Sequence, residues 1–259
     1  MTTLPRPRKQ FGQHFLTDRH YIDRIVAAIA PQRGDHVVEI GPGPGAITAP
    51  LAERLDVLHV VEVDRDLAAA LRGRFPTAQV VVHEGDALEF DFASLPAPLR
   101  VVGNLPYNIS TPLLFHVADA AERVSDCVFM LQKEVVDRMV AQPGTEAYGR
   151  LSVMLQYRFA MQRLFTVPAG AFFPPPKVES AIVRMRPLGA DRARARDEEK
   201  FAAIVMAAFG QRRKTLRNTL RNFLGADAWE QVGIDPGLRG ETLGVAEFIA
   251  LADAAPDKT

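Results

Sequence analysis

Two short segments of this 259-residue chain place reactive residue types at spacings that can support chemistry. The first is Asn104-Leu105-Pro106-Tyr107. An amine attached to an aromatic ring is a poor nucleophile, because the ring withdraws its lone pair. Two acceptors aimed at its two N–H bonds favour a pyramidal nitrogen whose lone pair is available. The Asn104 side-chain oxygen and the Pro106 carbonyl, held one residue apart by Leu105, can be those acceptors. Tyr107 can stack on the base and fix its approach. This is catalysis by positioning and electrostatics, and it needs no strong base when the leaving group is already activated.

The second segment is Glu39-Ile-Gly41-Pro-Gly43-Pro-Gly45. Its spacing is G-x-G-x-G, not the dinucleotide pattern G-x-G-x-x-G. A pyrophosphate is held by backbone N–H groups at such a turn, and Pro42 and Pro44 remove two of them. An adenosine-containing ligand without phosphate fits better, and S-adenosyl-L-methionine is the candidate, leaving as S-adenosyl-L-homocysteine. Glu62, 21 residues after Gly41, can accept both ribose hydroxyls, with Asp64 as the competing acid. Asp86, in Gly85-Asp86-Ala87, can accept from the adenine amine or simply cap a turn.

These segments need a scaffold of alternating strands and helices. Strands are expected at 36–40, 57–63, 80–83, 100–102, 128–131 and 180–185, and helices at 18–30, 46–55, 66–75, 111–121 and 134–140. That alternation implies an α/β fold with a parallel sheet covered on both faces. The glycine turn follows the first of these strands and Asn104 the fourth, so both lie at the carboxyl edge, where open α/β sheets bind ligands. Residues 142–149 read as a flexible loop, 172–177 (FFPPPK) as a stiff extended segment, and 189–199 as a linker. Helical stripes at 201–209, 215–224 and 245–254 predict a small helical domain after it.

The charges balance, 31 Lys+Arg against 31 Asp+Glu, so contact with a nucleic acid must come from local clustering. Gln211–Arg221 provides such a cluster: Arg212, Arg213, Lys214, Arg217 and Arg221 with no acid among them. Arg213, Arg217 and Arg221 repeat at four-residue spacing, a stripe on one face if the segment is one helix. Arg6, Arg8 and Lys9 form a second basic patch. The single cysteine, Cys127, lies in an apolar run and reads as a buried thiol, which suits a reducing cytoplasm. No apolar stretch is long enough for a membrane span, and no secretory signal is expected.

The chain resembles the bacterial small-subunit ribosomal RNA adenine dimethyltransferases, the KsgA/RsmA family. The resemblance rests on FGQHFL at 11–16, EIGPGPGAIT at 39–48, VEVDRDL at 61–67, GNLPYNIST at 103–111, MLQKEVVDRM at 130–139, YGRLSV at 148–153, FFPPPKVESAIVR at 172–184 and QRRKTLRN at 211–218. It implies a Rossmann-like class I methyltransferase domain over 1–187, with a seven-stranded, mostly parallel sheet, and a small all-helical RNA-binding domain over 188–259. It implies cofactor contacts from His14, Leu16, Gly41, Gly43, Glu62, Asp86, Ala87 and Asn104. It also implies a second base-stacking ring at Phe172, with Phe173 beside it where relatives often carry a small polar residue. The implied reaction is dimethylation of the 6-amino groups of two adjacent adenosines in the 3′-terminal hairpin of 16S ribosomal RNA, within an immature 30S subunit. A cytoplasmic monomer without a metal is expected, since a single cysteine can build no Cys-based metal site. The rivals are a large-subunit dimethylase of macrolide-resistance type, a mainly non-catalytic ribosome-assembly factor and a DNA adenine methylase. The last commonly carries Asp-Pro-Pro-Tyr-type sites, which this chain lacks.

Overall fold

The computed structural model describes residues 7–8, 12–211 and 213–256. The chain divides into two compact units, Met1–Val136 with Ala160–Pro187, and Asp137–Phe159 with Leu188–Thr259. In chain order the elements of the first unit are β1 (Phe15–Leu16), α1 (Arg19–Ile29), β2 (His36–Ile40), α2 (Thr48–Ala52), β3 (Leu58–Glu62), α3 (Arg65–Arg74), β4 (Val80–Glu84), β5 (Leu99–Asn104), α4 (Ser110–Asp119) and β6 (Val124–Gln132). Helix α5 (Lys133–Met139) then leads into the second unit, where α6 (Arg150–Gln156) follows. Strands β7 (Phe159–Val167), β8 (Phe172–Phe173) and β9 (Ser180–Pro187) return to the first unit. The second unit ends with α7 (Glu198–Gly210), α8 (Leu216–Thr219), α9 (Ala226–Val232) and α10 (Val245–Ala254).

Seven strands form one sheet in the order β4-β3-β2-β5-β6-β9-β7. The pairs β3–β4, β2–β3, β2–β5 and β5–β6 are parallel, and β6–β9 is antiparallel. Val37, Val60, Val102 and Val128 are near-fully buried, the pattern of strands covered on both faces. One face packs on α1 through Ile22, Ile25, Val26 and Ile29, which recur at helical spacing. Asp18 starts α1 by accepting the His20 N–H, and Asp64 starts α3 by accepting that of Asp66. Chain order reverses direction between β2 and β5, and their pairing ends at Ile40 and Gly103. A crevice opens at such a switch point. Gly103 allows that pairing, since a Cβ there would lie 2.3 Å from the Ile40 carbonyl oxygen.

The second unit has its own core, built from Tyr148, Val153, Tyr157, Phe201, Ile204, Leu216, Leu220, Phe248 and Leu251. The sequence places all of 1–187 in one domain. In the structure 137–159 packs with the C-terminal helices, because its large apolar residues belong to their core. The same packing corrects two further expectations. The 142–149 loop is anchored by Tyr148, 2% exposed, whose hydroxyl donates to the Leu243 carbonyl. The 189–199 stretch is tied down by Arg192 and Ala195. The Arg192 guanidinium lies 4.4 Å from the centre of the Tyr157 ring and pairs with Glu198, and the Ala195 N–H donates to the Tyr157 hydroxyl. Elements β1, α6, β7, β8 and α9 are not anticipated by the sequence patterns, and β6 and β9 extend beyond their expected ends.

The 211–224 segment also differs from its expected form. Regular helix covers only Leu216–Thr219, and turns carry the chain on. The Leu216 and Arg217 N–H groups donate to the Leu238 and Pro236 carbonyls, which tie the start of α8 to a later loop instead of to a preceding helical turn. Arg213, Arg217 and Arg221 therefore do not form a stripe on one continuous helix.

Candidate active site

A cavity of about 220 Å³ lies at the carboxyl edge of the sheet, lined from the β1 approach, the glycine turn and the ends of β3, β4 and β5. Strand register explains which side chains enter it. Glu39 pairs with Val60 on β3 and with Val102 on β5. Glu62 and Asn104 lie two residues further along those strands, so the three polar residues leave the same sheet face.

Gly41 and Gly43 have φ of 66° and 57°, a left-handed conformation that glycine adopts without strain. The Gly41 N–H donates to the Val61 carbonyl, which fixes the turn against β3. Glu62 is 5% exposed, and its two oxygens accept the Gly43 N–H at 3.1 Å and the Asp64 N–H at 2.9 Å. Burial raises its pKa, and those backbone donors oppose the rise. Asp64 does not line the cavity. It caps α3, accepts from Gln13 and pairs with Arg8. The geometry thus separates the two acids that the sequence leaves in competition. Arg8 also pairs with Asp66, so it does not stand as an unpaired basic residue, while Arg6 and Lys9 lie outside the described residues.

Glu39 is not among the ligand residues expected from the sequence, although it opens the glycine motif. It is 1% exposed, lines the cavity, and its Oε2 has no hydrogen-bond partner. Burial pushes its carboxyl up to about 8, against the nearby Thr48 hydroxyl and with help from the Glu62 charge. A buried acid without a partner is costly unless a donor reaches it, and a ligand ammonium is such a donor.

Asn104 closes the cavity on the other side. Its Nδ2 donates to the His14 carbonyl at 3.2 Å, which leaves Oδ1 as the acceptor. The Leu105 N–H donates to Met130 on β6, and the Pro106 carbonyl accepts the Ile109 N–H at 3.2 Å, leaving that oxygen a second lone pair. The His14 and Tyr107 rings stack with centres 5.7 Å apart, and His14 Nδ1 donates to the Pro174 carbonyl at 2.8 Å. Asp86 and Ala87 also line the cavity; Asp86 is exposed and accepts the Leu88 N–H.

Leu16 and Phe172 pair across β1 and β8, and both are buried. Leu16 lines the cavity, whereas Phe172, 4% exposed, packs in the sheet core. Side chains alternate along a strand, and the next residue, Phe173, is 52% exposed. Of the two rings, Phe173 is the exposed one and Phe172 the buried one. Among the described residues no group of three or more His, Cys, Asp or Glu is arranged to hold a metal ion, and no helix is long and apolar enough to cross a membrane. Cys127 is buried, and burial raises its thiol pKa well above the usual value.

Residues 5–255 match the family described as ribosomal RNA adenine dimethylase. The chain belongs to that family. It is 64% identical over 248 residues to the ribosomal RNA small subunit methyltransferase A of Aromatoleum aromaticum, covering 96% of this chain and 94% of the relative. The protein of the same name from Laribacter hongkongensis is 59% identical, with 97% of each chain covered. Among solved structures, a dimethyladenosine transferase from Plasmodium falciparum superposes with a TM-score of 0.78 at 24% identity, covering 92% of this chain and 96% of that one. The 23S rRNA methyltransferase ErmE superposes with a TM-score of 0.71 at 26% identity, covering 93% and 98%. The seven-stranded, mostly parallel sheet is the class I methyltransferase fold, as expected for a member of this dimethylase family.

Proposed function

We propose that this dimethylase uses S-adenosyl-L-methionine to dimethylate the 6-amino groups of two adjacent adenosines in the 3′-terminal hairpin of 16S ribosomal RNA. It acts as a cytoplasmic monomer on an immature 30S subunit and contributes to small-subunit biogenesis. The observation that carries this reading is the orientation of Asn104, whose amide nitrogen donates to the His14 carbonyl, so that its oxygen faces away from that contact as an acceptor. Relatives at 57–64% identity named as small-subunit enzymes support the choice of RNA over the large-subunit alternative.

When bound, S-adenosyl-L-methionine supplies an activated methyl group on a sulfonium. Glu62 takes its ribose, Asp86 and Ala87 the adenine edge, Gly41 and Gly43 offer bare backbone, and His14, Leu16 and Asn104 flank the methionine part. Glu39 meets the ammonium. For the substrate, Asn104 Oδ1 and the Pro106 carbonyl accept the two N–H bonds of the target amine, which localises its lone pair. Leu105 fixes the distance between these acceptors through its bond to β6. Tyr107 stacks on the adenine, and Phe173, in place of Phe172, supplies the second ring. The target must first be unstacked, at a cost of a few kcal/mol, which phosphate contacts from Arg213, Lys214, Arg217 and Arg221 offset. Arg212, assigned to the same surface, lies outside the described residues.

The test is mass spectrometry of ribosomal RNA from a deletion strain complemented with the wild-type gene or with Asn104→Ala. The two dimethyladenosines should return to 16S RNA only with the wild type. Primer extension that located them in 23S RNA would transfer the assignment to the large subunit. An Asn104→Ala protein that restored subunit assembly without methylation would show a separate binding role.

A further inference from the structure

The Tyr107 hydroxyl has a partner that its stacking role does not call for. It lies 2.7 Å from the hydroxyl of Ser180, a residue 73 positions away. Ser180 is the first residue of β9, pairs with Gln132 on β6, and is fully buried. Its position is therefore set by the central sheet, not by a loop. One ring face and the backbone of Tyr107 are held as well. His14 stacks on it, and the Tyr107 carbonyl accepts the Ser110 hydroxyl at 3.1 Å. His14 is itself held by the Pro174 carbonyl, six residues before Ser180. The Ser180 hydroxyl that meets the phenol and the Pro174 carbonyl that holds His14 thus come from the two ends of one segment, 174–180.

We propose that Ser180 is a positioning residue for methyl transfer: its hydroxyl fixes the Tyr107 ring so that the flipped adenine, stacked on the face away from His14, presents its amine to Asn104 and Pro106. The proposal rests on the reading of Tyr107 as the stacking platform. A ring tied only at Cβ would have to be ordered at each encounter with RNA, whereas the Ser180 bond orders it beforehand, and preorganisation of this kind acts on turnover more than on binding. It also gives the phenol oxygen a function that stacking alone does not require. Tyr107→Phe is therefore expected to be slower than a pure stacking role predicts.

The experiment uses the full-length protein and a hairpin RNA with two adjacent adenosines, comparing Ser180→Ala, Ser180→Cys, Tyr107→Phe, the Ser180→Ala/Tyr107→Phe double variant and Tyr107→Ala. A net hydrogen bond of ordinary strength corresponds to roughly three- to tenfold in rate. Each of the first three variants should lower kcat by about that factor, with KM for RNA unchanged within about twofold. The double variant should be no slower than its slower parent, because the two changes remove one interaction. With 2-aminopurine at the target position, stacking on Tyr107 should quench its fluorescence when the wild type binds, and that quenching should weaken in Ser180→Ala at unchanged RNA affinity and melting temperature. Independent, multiplying effects in the double variant, or full turnover in both Ser180 variants, would overturn the positioning role. If Ser180→Ala lost its fold, Ser180→Cys and Tyr107→Phe would still decide the question. Full activity in Tyr107→Ala would overturn the stacking reading itself, and is distinguishable because it alone removes the ring.

Discussion

The carboxyl edge of the sheet and the 211–224 segment both carry function in this reading, yet they are built in opposite ways. At the sheet edge Glu39, Glu62, Asn104 and Tyr107 are buried or half-buried, and three of the four are tied to backbone or hydroxyl groups from distant segments. In 211–224 the side chains of Arg213, Lys214, Arg217 and Arg221 are exposed and have no carboxylate partner among the described residues, while Leu216, Leu220 and Leu224 are buried beneath them. A reaction centre must fix single atoms, which requires preorganised groups held from several sides. A surface that neutralises a polyanion needs charge within reach of phosphates, and an internal ion pair would compete for it. Substitutions at the sheet edge should therefore have large, local effects, and those in 211–224 small, salt-dependent ones.

The largest effect is expected for Asn104→Ala. Loss of one preorganised acceptor costs roughly 3–4 kcal/mol by analogy with oxyanion-hole deletions, a fall of about a hundredfold or more in kcat. Affinity for S-adenosyl-L-methionine, measured by calorimetry, should change far less. Next comes Glu62→Ala, which removes charge-assisted bonds worth about 1.5–3 kcal/mol each. It should weaken cofactor binding by at least about tenfold and leave RNA affinity in place. A larger loss in Asp64→Ala than in Glu62→Ala would contradict the division of roles between the two acids.

Glu39 gives a pH-dependent test of the same edge. Its carboxyl titrates near 8 when folded, against 4.5 for an unperturbed side chain, so the folded protein holds a proton that the unfolded chain has released. That stabilisation is present below pH 4.5 and declines as pH rises toward 8. Glu39→Gln, which cannot ionise, should therefore melt progressively higher than wild type between about pH 5 and pH 8. The cofactor should narrow the gap, because its ammonium favours the carboxylate. A melting-temperature difference that did not depend on pH would show that Glu39 does not hold a proton in the folded protein.

The two regions are also unequally legible in the sequence. Strand β2 and helix α10 have the bounds their periodicity predicts, and the glycine turn and Asn104–Tyr107 fall at the sheet edge because each follows a strand. Two-residue strands such as β1 and β8 contain no period to detect. Strand β7 (FAMQRLFTV) is mixed in burial along its length and shows no clean alternation. The Tyr107–Ser180 bond depends on the register of β9 against β6, which no local signal encodes. Exposure separates Phe172 from Phe173, and two adjacent phenylalanines look alike until the strand direction is known. In 211–224 the four-residue repeat of arginines is a real pattern, but it mirrors the buried Leu216, Leu220 and Leu224 and does not require a long helix.

The smallest expected effect tests that segment. Arg217 uses its backbone N–H on the Pro236 carbonyl, while its side chain is exposed and pairs with no carboxylate among the described residues. Arg217→Glu should leave the α8 backbone and the buried leucines in place and weaken RNA binding only severalfold at low salt. The decisive quantity is the slope of log affinity against log salt concentration, which should flatten by roughly 0.7–0.9 for each phosphate that is no longer neutralised. Affinity for S-adenosyl-L-methionine should not move, because Arg217 belongs to the second compact unit and every residue lining the cavity to the first. If the arginines only solvate the segment, or lay their aliphatic stems over the leucines, the salt slope will stay as in wild type and any loss of activity will follow a fall in melting temperature. Slope and melting temperature measured on one preparation separate a phosphate-binding arginine from a solvated turn.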